Sequence, residues 1–314
     1  MKLLITGGTR FVGRHIAEAA LDRGWEITLL HRGQSGPDLF PNADHRIGDR
    51  FEDLHVLDSG TWDFAVDTSA YFPRAVKLLG EKVQDRVGRM AFISTVSVYE
   101  SGMDTTIDAP KMKNHDPETE EVNGETYGYL KVLCEEELQR IWGDRAWIIR
   151  PGIICSAYDP TDRFTYWVDR VARFSIFNGP HRLDQPIQGI DARALAEFVL
   201  DGLVTGHTQT TNCTGPLEQQ SFETFIAAIS KALGVSSPQL LSSDEPKLPL
   251  ELPADGTSDG IFSVDVAPQV ALGLKHPDFM GTIQRTWDWF QTEGRQPKVG
   301  NSDEAELASG GILR

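Results

Sequence analysis

The chain has 314 residues, 40% of them hydrophobic, which is enough to bury a sizeable core in one large domain or two closely packed ones. Its formal net charge of -16 gives no general attraction to nucleic acid or to an anionic membrane surface, so we expect neither as a partner. The three cysteines are scattered and indicate neither a disulfide framework nor a zinc site, so no metal is expected. No apolar run reaches the roughly 18 residues of a membrane span, and the sequence predicts a soluble, cytoplasmic protein.

The chain opens with an apolar run, a glycine-rich turn and then apolar residues at helical spacing, which predicts a strand, a tight turn and a helix start. Glycines let the backbone approach a phosphate closely, and the free amides and positive end of the helix stabilise its charge. A dinucleotide pyrophosphate is therefore expected at this turn, although the same glycine spacing also marks ordinary turns. The expected contacts are Gly7, Gly8, Thr9, Arg10, Phe11, Val12 and Gly13.

The residues after the predicted second strand bear on the choice of dinucleotide. Trp25 to Leu30 reads as a strand that completes a βαβ unit, and His31 and Arg32 follow it. A dinucleotide fold that prefers NAD usually has an acidic residue at this place. Arg32 and Arg10 could instead converge on a 2′-phosphate, so the sequence favours NADP over NAD. The alternative for Arg32 is a solvated loop position.

Polar residues follow the next three predicted strands, whose carboxyl ends would face the cofactor crevice. After the third strand, Asp49 could accept from the adenine amine or be a solvated turn carboxylate, and Arg50 comes next. Ser69 and Ala70 end the fourth strand. The fifth strand ends in a hydroxyl-rich run over residues 94–99, where catalysis would be placed. Downstream, Tyr127 and Lys131 are four residues apart and share one helical face.

Together these features resemble the extended short-chain dehydrogenase/reductase family, also described as the NAD-dependent epimerase/dehydratase family. The matching residues are Thr6 to Gly13, Gly48-Asp49, Ser94-Thr95 with Val98-Tyr99, Tyr127 to Lys131, and Arg150-Pro151-Gly152. The resemblance implies an α/β fold, with a Rossmann-type doubly wound parallel sheet and a smaller C-terminal α/β substrate-binding domain. One departure is Arg10, because the family usually has glycine there. An arginine at this place occurs in NADP-using relatives.

The expected domains follow from the order of these elements. We assign residues 1–150 and about 186–215 to an NADP-binding Rossmann domain, and about 151–185 and 216–292 to the substrate-binding domain. Residues 293–314 are polar and contain glycine, which predicts a tail that is disordered or is ordered by a partner. Family members often dimerise through helices of the nucleotide domain, so the resemblance also implies that a homodimer can form.

The resemblance implies a role for each catalytic candidate. Tyr127 would be the acid/base, Lys131 would hold the nicotinamide ribose and lower the pKa of the tyrosine, and Thr95 would hydrogen-bond the substrate oxygen. Pro151 and Ile153 would lie against the nicotinamide. A tyrosine with a pKa near ~10 carries protons poorly at neutral pH until nearby positive charge favours the phenolate.

Residues 158–167 mix polar and aromatic side chains in a way that is typical of a pocket, with flat rings to stack on a substrate and charged groups to bind hydroxyls or a carboxylate. The alternative is an interdomain packing loop that caps the next helix. We also expect the residues beside the fourth and fifth strand ends to contact the substrate, which is a small molecule. The candidates for substrate binding are Tyr71, Ser97, Asp162, Arg163, Tyr166 and Trp167.

The leading functional hypothesis is an NADP-dependent oxidoreductase that transfers hydride between nicotinamide C4 and a carbonyl or secondary alcohol. An alternative is a sugar-nucleotide 4-epimerase with tightly bound NAD, because the same three catalytic residues serve both reactions. Dehydration of a nucleotide sugar is not expected, since Val96-Ser97 replaces the Asp-Glu pair that family dehydratases carry after the catalytic threonine. Candidates for binding a nucleotide diphosphate are Arg163, Arg173, Arg182 and Arg193.

A further alternative is a catalytically silent nucleotide- or RNA-binding relative. The glycine turn also resembles that of chloroplast stem-loop RNA-binding members of the family. The charge of -16 and the presence of Thr95, Tyr127 and Lys131 argue against this alternative.

Overall fold

The computed structural model describes residues 1–100, 105–113, 119–242 and 248–314. In the first half, strands and helices alternate: β1 (Lys2–Thr6), α1 (Phe11–Asp22), β2 (Glu26–His31), β3 (Asp44–Ile47), β4 (Trp62–Asp67), α2 (Pro73–Val83), β5 (Val87–Ile93), α3 (Tyr127–Trp142) and β6 (Ala146–Pro151). The second half continues with β7 (Ile153–Cys155), α4 (Arg163–Arg173), β8 (Phe174–Gly179), β9 (Pro186–Ile187), β10 (Gly189–Asp191), α5 (Ala192–Thr205) and β11 (Thr211–Cys213). The last elements are β12 (Gln220–Ser221), α6 (Phe222–Leu233), β13 (Gln239–Ser242), α7 (Ala267–Ala271), α8 (Phe279–Glu293), α9 (Asp303–Ala308) and β14 (Ile312–Leu313).

A seven-stranded sheet with the order β11-β6-β5-β4-β1-β2-β3 forms the centre of the molecule, and each neighbouring pair in it is parallel. Parallel strands are buried on both faces, which explains why β1 and β5 are nearly continuous apolar runs. Helices α1 and α5 cover one face and α2 and α3 the other. This architecture confirms the expected Rossmann-type α/β fold.

The strand order reverses between β1 and β4, because the chain runs outward from β1 through β2 and β3 and then returns to the other side of β1. Ligands of open parallel sheets bind in the crevice beyond the carboxyl ends of the strands at such a point. The loops after β1, β4 and β5 all open into this crevice. The sheet therefore places the glycine turn, Ser69 and Thr95 along one edge.

A smaller unit lies beside the sheet. Its strand β8 pairs in parallel with β13 and antiparallel with β14. Helices α4, α6 and α8 contribute to an aromatic core that includes Phe164, Trp167 and Phe222. The short parallel pair of β7 and β10 connects this unit to the ends of β6 and α5.

The C-terminal segment, residues 293–314, is ordered, which corrects the expectation of a disordered tail. Its polar side chains satisfy charges that the smaller unit buries. Arg170 of α4 is fully buried and donates to Asp303 Oδ1 at 2.7 Å and to the Asn301 carbonyl at 2.7 Å. Buried charges need such partners, so the polar composition here indicates ion pairing. The segment ends as β14 on the edge of β8.

Within the part of the chain that the structure describes, no helix is both long enough and apolar enough to cross a membrane.

Candidate active site

The glycine turn after β1 has the geometry of a phosphate cradle. Gly7 has φ +81°, and a Cβ there would lie 2.8 Å from Thr68 Oγ1. A Cβ on Gly13 would lie 2.2 Å from the Gly7 carbonyl oxygen, so α1 can start this close to the turn only with glycine. The first helical hydrogen bond runs from Arg14 N to Arg10 O, which leaves the amides of residues 11–13 available to an anion. These features fit a dinucleotide pyrophosphate.

Two exposed arginines project from the loops that follow β1 and β2. Arg10 is the N-cap residue of α1 and Arg32 follows β2 directly. Neither guanidinium makes an ion pair or a side-chain hydrogen bond with the described residues. Because β1 and β2 are adjacent parallel strands, both arginines extend from the same edge of the sheet. They follow the two strands whose ends the sequence predicts to hold the pyrophosphate and the adenosine ribose.

His31 is buried between these arginines and the sheet. Its Nε2 lies 2.8 Å from His45 Nδ1, and its Nδ1 accepts from the Gly33 amide at 3.1 Å. Burial lowers the pKa of His31 below its ordinary value, and the neighbouring His45 lowers it further. His31 is therefore neutral at pH 7 and supports the loop that carries Arg32.

The side chains of Asp49 and Arg50 have different partners in the structure. Asp49 Oδ1 accepts from the Phe51 amide at 2.8 Å and so closes the turn after β3. Arg50 donates to both carboxylate oxygens of Asp67, at 3.0 and 2.7 Å, and to Ser69 Oγ at 3.0 Å. Burial would raise the pKa of Asp67, but the charge and hydrogen bonds of Arg50 outweigh it and lower the pKa to about 2. The terminal nitrogens of the Arg50 guanidinium are thus engaged by Asp67 and Ser69, and its contact with a cofactor stays a prediction.

The hydroxyl groups predicted for catalysis do meet at the end of β5. Thr95 Oγ1 donates to Ser97 Oγ at 3.1 Å and accepts from the Ser97 amide at 3.1 Å. Tyr127 is the first residue of α3 and is half-buried, and the Thr95 hydroxyl acts to lower its pKa. The ring of Tyr71 lies 6.1 Å from the ring of Tyr127, centroid to centroid, and is largely exposed. Thr95, Ser97, Tyr71 and Tyr127 therefore surround one space.

The electrostatics of Tyr127 differ from the expectation. Burial raises the pKa of Tyr127 above its ordinary value and Tyr71 adds to the increase, whereas the Thr95 hydrogen bond and the charge of Arg163 act in the opposite direction. The sequence predicted a pKa lowered by Lys131, whereas the net effect of the surroundings is to raise it. Because its pKa is raised, Tyr127 stays protonated at neutral pH.

Lys131 lies one helical turn beyond Tyr127 and is only 4% exposed. Its Nζ donates to the carbonyl oxygens of Ala70 at 3.0 Å and Ile93 at 2.8 Å, and lies 4.0 Å from the centre of the Phe92 ring. Burial lowers the pKa of Lys131 to about 8. The ammonium group is held against the ends of β4 and β5, below the space that the hydroxyl groups surround.

A buried polar network that the sequence reasoning missed joins α3 to the sheet. Glu135, one turn beyond Lys131, accepts from Ser94 Oγ at 2.6 Å and from Arg150 Nε and Nη2 at 2.9 and 2.7 Å. Arg150 Nη1 donates to the Tyr99 hydroxyl at 2.8 Å. The network fixes α3 against the ends of β5 and β6. The signal that could have revealed it is the four-residue spacing from Lys131 to Glu135, which places both on one helical face.

The structure does not bring all of the predicted substrate residues to the site. Tyr166 and Trp167 are both 0% exposed, their rings stack edge to face at 4.8 Å, and Trp167 Nε1 donates to the Pro249 carbonyl. Asp162 is also 0% exposed and is paired with Arg295. These three predictions are wrong, because α4 packs on α6 and α8 and buries that face. Arg163 remains exposed.

The residues expected beside the nicotinamide lie where β6 leads into β7. Pro151 ends β6 and is buried, while Ile153 begins β7 and is partly exposed. Ile153 lines an apolar cavity of about 270 Å³ together with Phe164 and Phe225. No group of His, Cys, Asp and Glu side chains among residues 1–100, 105–113, 119–242 and 248–314 is placed to hold a metal ion.

Residues 3–84, which contain the glycine turn, match the family model described as the NAD dependent epimerase/dehydratase family. This match confirms the resemblance over the part of the chain that holds the glycine turn and Gly48-Asp49. A search among curated proteins finds no significant sequence match.

Several solved structures share the fold over nearly their whole length. A UDP-glucose 4-epimerase from Thermus thermophilus, in complex with NAD, is 18% identical with a TM-score of 0.69, covering 93% of this chain and 99% of that chain. A UDP-glucuronic acid 4-epimerase from Bacillus cereus, in complex with NAD, is 15% identical with a TM-score of 0.69, covering 94% and 100%. The UDP-Glc/GlcNAc 4-epimerase from Campylobacter jejuni is 17% identical with a TM-score of 0.69, covering 93% and 99%. At these identities the likeness shows the fold.

Proposed function

We propose, from the match of residues 3–84 to the NAD-dependent epimerase/dehydratase family and from the shared fold, that this chain is an oxidoreductase of the extended short-chain dehydrogenase/reductase type. It uses NADP and interconverts a carbonyl and a secondary alcohol of a small molecule. The observation that carries the proposal is the meeting of Thr95 and Tyr127 at the end of β5, with buried Lys131 one turn away. This grouping lies in the crevice that begins at the glycine turn.

The chain's own residues supply the proton and the orientation. A bound nicotinamide would supply or accept the hydride at its C4. In the direction of reduction, the Tyr127 phenol donates its proton to the substrate carbonyl oxygen, and the Thr95 hydroxyl donates a hydrogen bond to the same oxygen. The raised pKa of Tyr127 leaves this proton in place at neutral pH. Lys131 holds positive charge below the site that favours the phenolate once the proton has left.

The choice of NADP rests on Arg10 and Arg32. The structures of the relatives from Thermus thermophilus and Bacillus cereus contain NAD, and that observation describes those two proteins. In this chain the residue after β2 is an arginine, and neither guanidinium is paired with a described residue. A 2′-phosphate would give both arginines a charged partner through two or more charge-assisted hydrogen bonds.

The cofactor proposal predicts that NADPH binds at least tenfold more tightly than NADH. The double variant Arg10→Gln, Arg32→Gln should lose that difference, because the 2′-phosphate then has no cationic partner. Fluorescence titration of both nucleotides measures it, and Arg193→Gln, an exposed arginine on α5, is the matched control. Equal or tighter NADH binding by the unmodified chain, or copurified NAD, would contradict the proposal.

The acid/base proposal predicts that Tyr127→Phe binds NADPH normally and loses turnover by about 10²- to 10⁴-fold, the usual range for general acid catalysis. Tyr158→Phe is the matched control, since Tyr158 keeps its ring contacts with His15 and Trp289 in that variant. Carbonyl reduction followed at the NADPH absorbance band gives the rates. Retained activity in Tyr127→Phe would show that another group is the acid.

A 4-epimerase acting on a UDP-sugar is the second candidate, because the structural relatives named above are described as epimerases of that kind. Copurified NAD together with interconversion of UDP-sugars would establish it. The RNA-binding alternative predicts salt-dependent RNA affinity without nicotinamide binding. The cytoplasmic location and the homodimer stay predictions.

A further inference from the structure

We propose that His31 and His45 are positioning residues, which hold the β2–β3 loop, residues 32–43, against the glycine turn and so complete the adenosine end of the cofactor site. Both imidazole rings must be neutral for this arrangement, so acid weakens dinucleotide binding. The inference rests on the proposed function, because it concerns how that enzyme binds its cofactor.

The β2–β3 loop lies against the glycine turn. A Cβ built on Gly36, in the middle of the loop, would lie 3.4 Å from the Thr9 carbonyl oxygen, so the loop backbone approaches the turn closely there. Where β2 leads into the loop, the Gly7 amide donates to the Leu30 carbonyl at 3.0 Å. The loop also carries Arg32, which follows β2 directly. A cofactor whose pyrophosphate binds the turn would therefore have this loop beside its adenosine end.

The hydrogen bonds of the two histidines form a chain with one direction. The Gly33 amide donates, so His31 Nδ1, which lies 3.1 Å away, is the unprotonated acceptor nitrogen of its ring. In a neutral ring the proton is then on His31 Nε2, which donates to His45 Nδ1 at 2.8 Å. His45 Nε2 carries the proton of the second ring and donates to the Phe40 carbonyl at 3.1 Å. Backbone groups at both ends of the chain thus fix one tautomer for this histidine pair.

The histidine pair holds the loop at two points. Gly33 is bound near the start of the loop and Phe40 near its end. Phe40 has a left-handed backbone with φ 60°, which is uncommon for a bulky residue and persists only where the surroundings support it. Loss of the pair's hydrogen bonds would therefore release the segment between these two points, which includes the approach of Gly36 to the glycine turn.

A second proton on either ring breaks this chain of hydrogen bonds. A proton on His31 Nδ1 would point at the Gly33 amide hydrogen, and a proton on His45 Nδ1 would point at the hydrogen on His31 Nε2. The protonated ring must turn away, and the loop segment is then released. Burial lowers the pKa of His31 and the neighbouring His45 lowers it further, which agrees with a ring that is neutral at pH 7.

The charged groups around the histidine pair do not stabilise a protonated ring. Arg32 adjoins His31 in the chain, and its positive charge disfavours a second one nearby. Asp38, the one acidic residue of the loop, is exposed. Among the described residues, His45 is the one titratable group whose charge shifts the pKa of His31. On the neighbouring strands and on α1, the charged groups have partners of their own: Lys2 with Glu26, Asp44 with Arg46, Asp49 with the Phe51 amide, and Arg14 with Glu18.

The pH dependence of dinucleotide binding tests the inference. Titration calorimetry with NADP and NAD, each in its oxidised form, gives the dissociation constants at pH 7.5 and pH 5.5. We expect the unmodified chain to bind both at least threefold more weakly at pH 5.5, because a histidine of ordinary pKa, near ~6.5, in a released loop is mostly protonated there. NAD is included because the 2′-phosphate of NADP, like other phosphate monoesters, itself titrates near pH ~6.

Two substitutions of His45 distinguish positioning by a neutral ring from a merely structural role, which would leave the pH dependence in place. His45→Phe removes both of its hydrogen bonds and should weaken NAD binding at least fivefold at pH 7.5, with no further loss at pH 5.5. In His45→Gln the amide can still accept from His31 and donate to Phe40, so the affinity at pH 7.5 should fall less and the loss at pH 5.5 should shrink. His181→Gln is the matched control and should change neither value, since His181 lies between β8 and β9 and makes only a loose pair with Glu251 at 3.8 Å.

Nitrogen-15 NMR of the imidazole rings needs no nucleotide and separates the inference from the proposed function. At pH 7.5 both rings should carry their proton on Nε2, with the signals assigned by their loss in His31→Asn and His45→Gln. A proton on Nδ1 of either ring, or NAD binding whose pH dependence is absent or unchanged in both His45 variants, overturns the inference, and the proposed function then stands if NADPH is oxidised by a carbonyl compound. If tautomers and pH dependence are as expected but no carbonyl compound oxidises NADPH, the proposed function fails and the inference stands. Binding of neither nucleotide overturns both.

Discussion

Lys131 is the charged residue most strongly affected by its surroundings at the candidate site. It is nearly completely buried, and two backbone carbonyls and the face of Phe92 compensate for only part of the hydration that its ammonium loses. Its pKa is consequently lowered from 10.5 to about 8. Functional groups often have a pKa that burial shifts in this way, which agrees with the role proposed for Lys131.

The lowered pKa gives a prediction about stability. Between pH 8 and 10.5 the unfolded chain binds more protons at Lys131 than the folded chain, so this residue makes the free energy of unfolding rise with pH over that window. The full effect corresponds to about 3 kcal/mol, and about 2 kcal/mol of it falls between pH 7 and 9.5. Lys131→Met should remove this rise. Urea denaturation at both pH values measures it.

The matched control for that measurement is Lys77→Met. Lys77 lies on α2, is exposed and makes only a loose pair with Glu81 at 3.9 Å. Its removal should leave the difference between the two pH values as it is in the unmodified chain. Parallel pH profiles for Lys131→Met and the unmodified chain would show that Lys131 titrates normally in the folded state.

At the scale of elements, the turn between β1 and α1 depends on close backbone contact. Gly13→Ala would place a Cβ 2.2 Å from the Gly7 carbonyl oxygen, so the helix start must move away from the turn. We expect NADPH affinity to fall at least tenfold, because the amides of residues 11–13 move with the helix. Gly124→Ala is the control, since a Cβ there meets no described atom within 4 Å. Unchanged affinity in Gly13→Ala would place the phosphate elsewhere.

The sequence predicts some elements well because their signals are local. The apolar strands, the glycine turn and the four-residue spacing of Tyr127 and Lys131 each depend on residues close together in the chain. Parallel pairing then brings Thr95 and the glycine turn to one edge, as the fold class requires. The central sheet and the meeting of Thr95 and Tyr127 were predictable for this reason.

Other features depend on partners far along the chain. The buried side of helix α4 carries a charge, because Arg170 lies there and is paired with Asp303, which is 133 residues away. Tyr166 and Trp167 were therefore assigned to a pocket when they form the core. Arg50 was similarly assigned to the cofactor, although Asp67 engages it. A single sequence shows the charge of each residue but not which distant group neutralises it.

At the scale of the whole molecule, the C-terminal segment holds together distant parts of the smaller unit. Its residues Asn301 and Asp303 satisfy buried Arg170, and Arg295 holds Asp162 beside Arg163. The segment then adds β14 to β8, and the Arg314 amide donates to the Arg173 carbonyl at 2.8 Å. The polar C-terminal segment is thus a structural part of the smaller unit.

Deleting residues 295–314 should therefore destabilise the smaller unit far more than the central sheet. The deletion leaves Asp162 buried without its partner Arg295 and leaves Arg170 with Asp169 as its acidic partner, and breaking one buried ion pair typically costs about 3–5 kcal/mol. We expect a lower unfolding midpoint for the smaller unit, while NADPH affinity, which depends on the glycine turn, stays within about twofold. Leu307→Ala, which shortens an exposed side chain of α9, should change the stability by less than about 0.5 kcal/mol. If the deletion leaves the denaturation curve unchanged, then the ion pairs that residues 295–314 make with Asp162 and Arg170 do not stabilise the fold. A deletion that also abolishes NADPH binding would instead show that the two units unfold together.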